Sequence, residues 1–308
     1  MLFTESLRRL KDEEPIIDDQ TMKTVTSTSF VTIASYNISL SEQKLLAYNY
    51  YMRAGYASGY ARLKIGTLYI GGEKCDISSM KNAAGLFALP PGSYTIELQA
   101  RTANSSYPIY IDRFRLGPIC LSDVSLINLM DASSSPVNIS LPSRKTCIGR
   151  TKKGGLYIQV YNSAAPTVMV DGSSIPRSFF DEEKHVFSVP VTLDETHIVS
   201  VDAGCFSAVL SPWLPPATET EIVSLNCPQG STIYVVFEPL LEDQSKYIYL
   251  GKKRIIPLGQ DYYSSAGGTG ILTWSYTFDL ISVEQVELLA KNVRHCGCIT
   301  MIGVDVRA

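Results

Sequence analysis

The chain has 308 residues, 45% of them hydrophobic and 19% charged, with a formal net charge of -3. That length is enough for two or three buried cores, and the composition is that of a folded globular chain. The weak acidity argues against a nucleic-acid protein held by bulk charge, and no apolar run approaches the roughly 18 residues of a spanning helix.

At the N-terminus, MLFTESLRRLKDEEPIIDD places Phe3, Leu7 and Leu10 on one helical face, and Pro15 ends the pattern. There is no continuous apolar stretch of a secretory signal, and acids begin at Glu5. Residues 1–20 are therefore expected to be a short arm, helical or extended, with Phe3, Leu7 and Leu10 as its candidate docking residues. Residues 21–40 are rich in Thr, Val and Ile and read as one or two strands. Residues 44–53, KLLAYNYYMR, fit a short helix or a strand, with strand preferred. Tyr60 to Ile70 reads as a strand pair broken at Gly66. Leu89-Pro90-Pro91-Gly92-Ser93 is a turn, because Pro presets φ and Gly accepts the positive φ of a type II turn.

Ser93 to Leu116, SYTIELQARTANSSYPIYIDRFRL, is echoed by Glu284 to Val306, EQVELLAKNVRHCGCITMIGVDV. Ile96-Glu97-Leu98 aligns with Val286-Glu287-Leu288, and without a gap Leu116 meets Val306. Tyr94, Ile96, Leu98 and Ala100 alternate with Thr95, Glu97, Gln99 and Arg101, the period of a strand with one buried face. A turn-rich interval and a second apolar strand follow, so each copy reads as a β-hairpin closing a larger antiparallel sandwich.

Between Cys120 and Lys153 the composition turns to Ser, Pro and Gly, with Arg144, Lys145, Arg150, Lys152 and Lys153. Residues 121–154 are the expected linker between one sandwich at 21–120 and a second region at 155–308. The basic residues read as a solvated linker, since no aromatics interleave with them. Strand patterns resume with LYIQVYN, HVFSVPV, HIVSVDAG and FSAVL, and Val168 to Gly172 is a strand running into a turn. Ser211-Pro212-Trp213-Leu214-Pro215-Pro216 is irregular, so 155–308 is either one large sandwich or two small ones divided near 212–228.

Catalytic patterns are lacking: His185, His197 and His295 are far apart, and there is no HExxH, GxSxG, Walker or GxGxxG motif. No enzyme activity, cofactor or metal is expected. His295-Cys296-Gly297-Cys298 is the one ligand-like cluster, and buried thiols beside an ordinary His are preferred for it. The seven cysteines are scattered and odd in number, so no disulfide framework is implied. Asp18-Asp19 and Asp181-Glu182-Glu183 could hold a hard cation or be solvated acids. Tyr48, Tyr50, Tyr51, Tyr56 and Tyr60 form a dense patch that is either exposed, for sugars or a protein interface, or the core and rim of the sandwich. Three sequons begin at Asn37, Asn104 and Asn138.

Gly92 to Pro118 is similar to the closing strands of jelly-roll modules of the galactose-binding and carbohydrate-binding kind, with Asp112 in the second strand. That resemblance implies sandwich topology and carries over no ligand residue. The whole chain looks like the tandem jelly-roll spikes, turrets and capsid-associated proteins of viruses. This likeness implies a virion structural component that works as a homo-oligomer or with neighbouring structural proteins. The expectation is thus an all-β protein of tandem antiparallel sandwiches acting through protein interfaces in a virion. The alternative is a glycan-binding module for host or cell-surface attachment, on a cell surface or cytoplasmic before assembly. A membrane span and a nucleic-acid partner are not expected.

Overall fold

A computed structural model describes residues 16–76, 80–119, 124–141, 153–181, 183–214, 222–227, 231–236, 247–250, 253–255, 284–291 and 300–306. The expected docking residues Phe3, Leu7 and Leu10, and the cluster His295, Cys296 and Cys298, lie outside them. The described chain is β throughout except for one 3-10 turn at Ala132–Ser134, and every strand pairing is antiparallel, as expected of tandem sandwiches.

The first sandwich is built from β1 (Ile17–Asp19), β2 (Lys23–Val25), β3 (Val31–Leu40), β4 (Lys44–Ala54), β5 (Gly59–Ile65), β6 (Leu68–Cys75), β7 (Met80–Leu89), β8 (Gly92–Thr102) and β9 (Ile109–Ile119). Its larger sheet runs β9–β4–β7, with β1 and β2 following one another along the free side of β9. Its smaller sheet runs β3–β8–β5–β6. KLLAYNYYMR is a strand, as preferred from sequence. Residues 17–19, expected in the arm, instead pair with β9.

The expected hairpin at 93–116 does not form. β8 pairs with β3 and β5, whereas β9 pairs with β1, β2 and β4. The two strands lie in opposite sheets, so Ile96 and Leu98 meet Ile109 and Leu116 across the core rather than beside one another. Strand β9 carries a bulge at Arg113, whose φ of 56° lets Ile109 and Ile111 face inward and then Phe114 and Leu116 as well.

The second sandwich contains β10 (Ser125–Asp131), β11 (Val137–Ser140), β12 (Lys153–Tyr161), β13 (Val168–Val170), β14 (Ser173–Ser174), β15 (Arg177–Asp181), β16 (Lys184–Thr192), β17 (Thr196–Val201) and β18 (Cys205–Leu214). The sheets run β15–β16–β12–β18–β10 and β11–β17–β13–β14. β10 and β11 fall inside the expected linker 121–154. The Ser and Pro content of Ala132 to Pro136 marks a 3-10 turn between two strands, whose Ile127 and Ile139 are core residues. β13 does run into a turn, with Asp171 and Gly172 both at positive φ.

The C-terminal strands are β19 (Ile222–Cys227), β20 (Ser231–Val236), β21 (Tyr247–Leu250), β22 (Lys253–Ile255), β23 (Glu284–Lys291) and β24 (Thr300–Val306). They run β19–β23–β21–β22, with β24 between β20 and the end of β18. One order therefore recurs three times: β3–β8–β5–β6, β11–β17–β13–β14 and β19–β23–β21–β22. In each case the next strand in the chain (β9, β18 or β24) crosses to the other sheet. The repeated stretch is this crossing, seen twice in sequence and three times in topology.

Strand β12 is buried on both faces. Leu156, Ile158 and Val160 fill the second core, while Tyr157, Gln159 and Tyr161 are buried on the opposite face. At Leu86 on β7, the last strand of its sheet, the N–H donates to Gln159 Oε1 at 3.1 Å. The Leu86 carbonyl lies 3.1 Å from the Tyr161 hydroxyl and 3.5 Å from that of Ser207. Cys205 Sγ reaches the carbonyl of Tyr69 at 2.9 Å. Side chains of the second sandwich thus cap a sheet edge of the first, where an open ladder would otherwise be a template for association.

Candidate functional site

The five tyrosines read as one patch separate in the structure. Tyr48 and Tyr50 are 1% and 0% exposed and stack in the first core at 6.1 Å, with Phe87 and Phe114 beside them. They are core residues and take no part in a surface, because strand alternation turns them inward with Leu46 and Met52. Tyr51 is half-buried on the outer face of the larger sheet, under the guanidinium of Arg113 at 5.7 Å. Tyr56 is 74% exposed and meets Tyr107 edge-on at 5.5 Å. Tyr60 alone joins a constellation.

That constellation covers the outer face of β3–β8–β5–β6. The inward residues of β5 and β8 are Ala61, Leu63, Ile65, Ile96, Leu98 and Ala100, so strand alternation sends Tyr60, Arg62, Lys64, Glu97, Gln99 and Arg101 to the opposite face. The register sets Tyr60 opposite Arg101, Arg62 opposite Gln99 and Lys64 opposite Glu97. Phe30, immediately before β3, and Tyr69 on β6 complete it. Rings and guanidinium groups alternate: Arg101 lies 4.0 Å from the Tyr60 ring centre and 5.3 Å from that of Phe30. Arg62 lies 3.9 Å from Phe30 and 3.9 Å from Tyr69. The order along this ladder is Tyr60, Arg101, Phe30, Arg62, Tyr69, and each contact attracts a cation to a ring quadrupole.

A polar network runs alongside. Arg62 Nε donates to Gln99 Oε1 at 3.0 Å, and Gln99 Nε2 donates to Glu97 Oε2 at 3.0 Å. Thr32 Oγ1 donates to the same carboxylate oxygen at 2.8 Å, while Lys64 Nζ sits 3.3 Å from Oε1. The hydrogen bond from Thr32, helped by Gln99 and Lys64, holds the Glu97 carboxyl below its usual range. Burial draws the Arg62 pKa down, against the opposing pull of Tyr69 and Glu183. Phe30, Arg62, Tyr69 and Arg101 were missing from the sequence-derived candidates. The usable signal was the alternation of Tyr60, Arg62 and Lys64 against Glu97, Gln99 and Arg101.

Other candidates resolve into structural roles. Asp18 pairs with Arg115 at 3.1 Å, and Asp19 accepts from Thr21 and Tyr36, so neither acts as a free cation ligand. Glu182 lies outside the described residues. Among the described residues no group of three or more His, Cys, Asp or Glu side chains could hold a metal, and Cys75 and Cys205 are buried thiols that form no disulfide. His197 sets Nδ1 2.7 Å from Asp171 and Nε2 2.7 Å from the Thr192 carbonyl, two acceptors that favour the protonated ring and raise its pKa. His185 receives an N–H from Arg177 at Nδ1 and meets the Asn162 carbonyl with Nε2, as a neutral ring does. Asn37, Asn104 and Asn138 are all exposed.

No protein-family model matches the chain, and no curated protein matches it. Among solved structures, the chain is similar to the N-terminal CBM22-1-CBM22-2 tandem domain of Xyn10C from Paenibacillus barcinonensis. The two share 10% sequence identity with a TM-score of 0.22, over 68% of this chain and 90% of that one.

Proposed function

We propose that the chain is a glycan-binding β-sandwich protein for attachment to a host or cell surface, and that the outer face of β3–β8–β5–β6 is its binding face. The observation that carries this reading is the ladder of Phe30, Tyr60 and Tyr69 with Arg62 and Arg101 on one half-open sheet face. A sugar ring has one apolar C–H face and a rim of hydroxyls. Aromatic side chains offer an apolar surface at low entropic cost, and Arg, Lys and Glu on the same face offer both donors and acceptors for the rim.

The virion-assembly reading expected from sequence loses two supports. Tyr48 and Tyr50 are buried within the chain rather than between chains, and the edge at Leu86 is covered by the second sandwich. One observation favours it: Met169 and Ile198, 40% and 46% exposed, are diagonal neighbours on the outer face of β11–β17–β13–β14. A defined oligomer that dissociates in Met169→Ser/Ile198→Ser would support assembly through that face.

The test of the main reading is a glycan array probed with the whole chain, Tyr69→Ala and Tyr56→Ala. The expected result is binding that falls about fivefold or more in Tyr69→Ala, as for a contact residue worth at least 1 kcal/mol, and is unchanged in Tyr56→Ala. Binding insensitive to Tyr69→Ala, or absent throughout, would refute it.

A further inference from the structure

The two arginines of the ladder hold more hydrogen-bond donors than the described residues engage. A guanidinium carries five N–H groups in a planar fork and accepts nothing. Among the described residues Arg62 commits only Nε, to Gln99, and it is held flat between Phe30 and Tyr69. The Arg101 guanidinium is stacked over Tyr60 and makes no hydrogen bond or ion pair with any described residue. Stacking fixes the planes of both forks and leaves their edges open. Because Arg62 is opposite Gln99, Arg101 sits diagonally across from it on the adjacent strand, about 7–8 Å away along the backbone. Phe30 lies against both.

The charges on this face do not cancel. Lys64 is paired with Glu97, Lys74, opposite Tyr60, is paired with Asp76, and Arg62 is drawn by Glu183, so among the described side chains four cations with Arg101 meet three carboxylates. Glu97 is already engaged by Lys64, Thr32 and Gln99, and Glu183 acts on Arg62. The surplus positive charge therefore falls on Arg101. Arg62 is partly desolvated, so a bound anion would restore hydrogen bonding that burial has removed.

We propose that this face selects acidic glycans, with the carboxylate of a uronic or nonulosonic acid received by the open forks of Arg101 and Arg62 while the sugar ring lies along Tyr69 or Tyr60. Guanidinium and carboxylate match as planar bidentate partners, which a hydroxyl rim does not. This deepens the glycan-binding reading and rests on it.

The experiment is an array in which every carboxylated glycan sits beside its own methyl ester, so that members of a pair differ only at the carboxylate, ionised in one and capped as a neutral ester in the other. It is probed with the whole chain, Arg101→Gln and Arg101→Lys, and the readout is the ratio of acid to ester binding within each pair. The wild-type chain should prefer the acid about tenfold or more, as a charge-assisted hydrogen bond supplies, and added salt should shrink the preference. Arg101→Gln should bring the ratio close to one and Arg101→Lys should keep part of it. Because a ratio is read, a variant with less folded protein still reports. Equal binding of acids and esters by the wild type would overturn the acidic class and leave the glycan reading standing. An undiminished preference in Arg101→Gln would overturn the assignment to these arginines. Equally tight binding of polyglutamate would overturn recognition of a sugar, and binding to no glycan would overturn both readings together.

Discussion

Two strands with the same sequence pattern end in opposite circumstances. In β8 the residues alternating with the core are Glu97, Gln99 and Arg101, and in β12 they are Tyr157, Gln159 and Tyr161. Each strand carries a glutamine at its centre with polar or amphipathic neighbours two residues away. Around Gln99 the partners are side chains at or near solvent: Arg62, Thr32 and Glu97. Around Gln159 they are buried: Tyr157, Tyr161 and the Leu86 N–H of another sheet. Alternation reports that one face of a strand is buried. It does not report whether the other face meets water or a second domain, and that difference separates a binding face from a structural joint.

The largest expected effect on this contrast comes from glycines. Gly204 has φ +84°, and a Cβ there would lie 2.3 Å from the Tyr161 carbonyl oxygen on the covered side. Gly66, at φ +60° beside the open face, has nothing within 4 Å of such an atom. Gly204→Ala should cost about 3 kcal/mol through backbone overlap added to left-handed strain. Gly66→Ala should cost only the strain, about 1 kcal/mol. Denaturant midpoints at constant slope measure both, and equal costs would break the contrast.

The glutamines come next. Gln159→Leu leaves the buried Leu86 N–H without an acceptor and should cost about 1–3 kcal/mol. Gln99→Leu should cost less than about 1 kcal/mol, because its former partners can turn to water. A Gln99→Leu penalty as large as that of Gln159→Leu would mean that the ladder face is itself covered.

The smallest effect is on pH dependence, where two buried histidines have opposite signs. For His197, burial lowers the pKa, but the bonds to Asp171 and Thr192, with Glu195 nearby, outweigh it and the net shift is upward. Its contribution is therefore complete below the ordinary value of 6.5 and is lost as pH rises through the raised one. For His185, burial and then Arg177 lower the pKa despite the bond to Asn162, so stability is lost as pH falls below 6.5. In His197→Asn the decline of stability as pH rises from 6.5 should vanish while the acid-side decline from His185 remains. An unaltered profile above 6.5 would show that the bonds to Asp171 and Thr192 do not raise the His197 pKa.

Much of the fold was legible because strand periodicity is a local property. Tyr94 to Ala100, Leu156 to Val160 and the turn at Asp171-Gly172 all formed as their patterns indicate. The repeat of Ser93–Leu116 was also legible, but not its meaning. Two apolar strands joined by a polar turn look alike whether they pair side by side or face one another across a core, and only long-range packing decides. The middle copy of the crossing, β17 to β18, has no comparable sequence echo. Ala132 to Pro136 misled because Ser and Pro mark a tight 3-10 turn as readily as a linker. The binding face escaped notice for a related reason. Local density of tyrosine pointed to Tyr48 and Tyr50, whereas the ladder draws Phe30 from beside β3, Tyr60 and Arg62 from β5, Tyr69 from β6 and Arg101 from β8, which only sheet register brings together.

The most direct test of the central claim is oxidative footprinting of the whole chain with and without a glycan that it binds on the array. Protection at Phe30, Tyr60 and Tyr69, with Tyr56, Tyr107 and Met169 unchanged, is the result expected if the ladder is the binding face. Protection centred on Tyr56 and Tyr107, or on Met169, with the ladder aromatics as reactive as before, would contradict it.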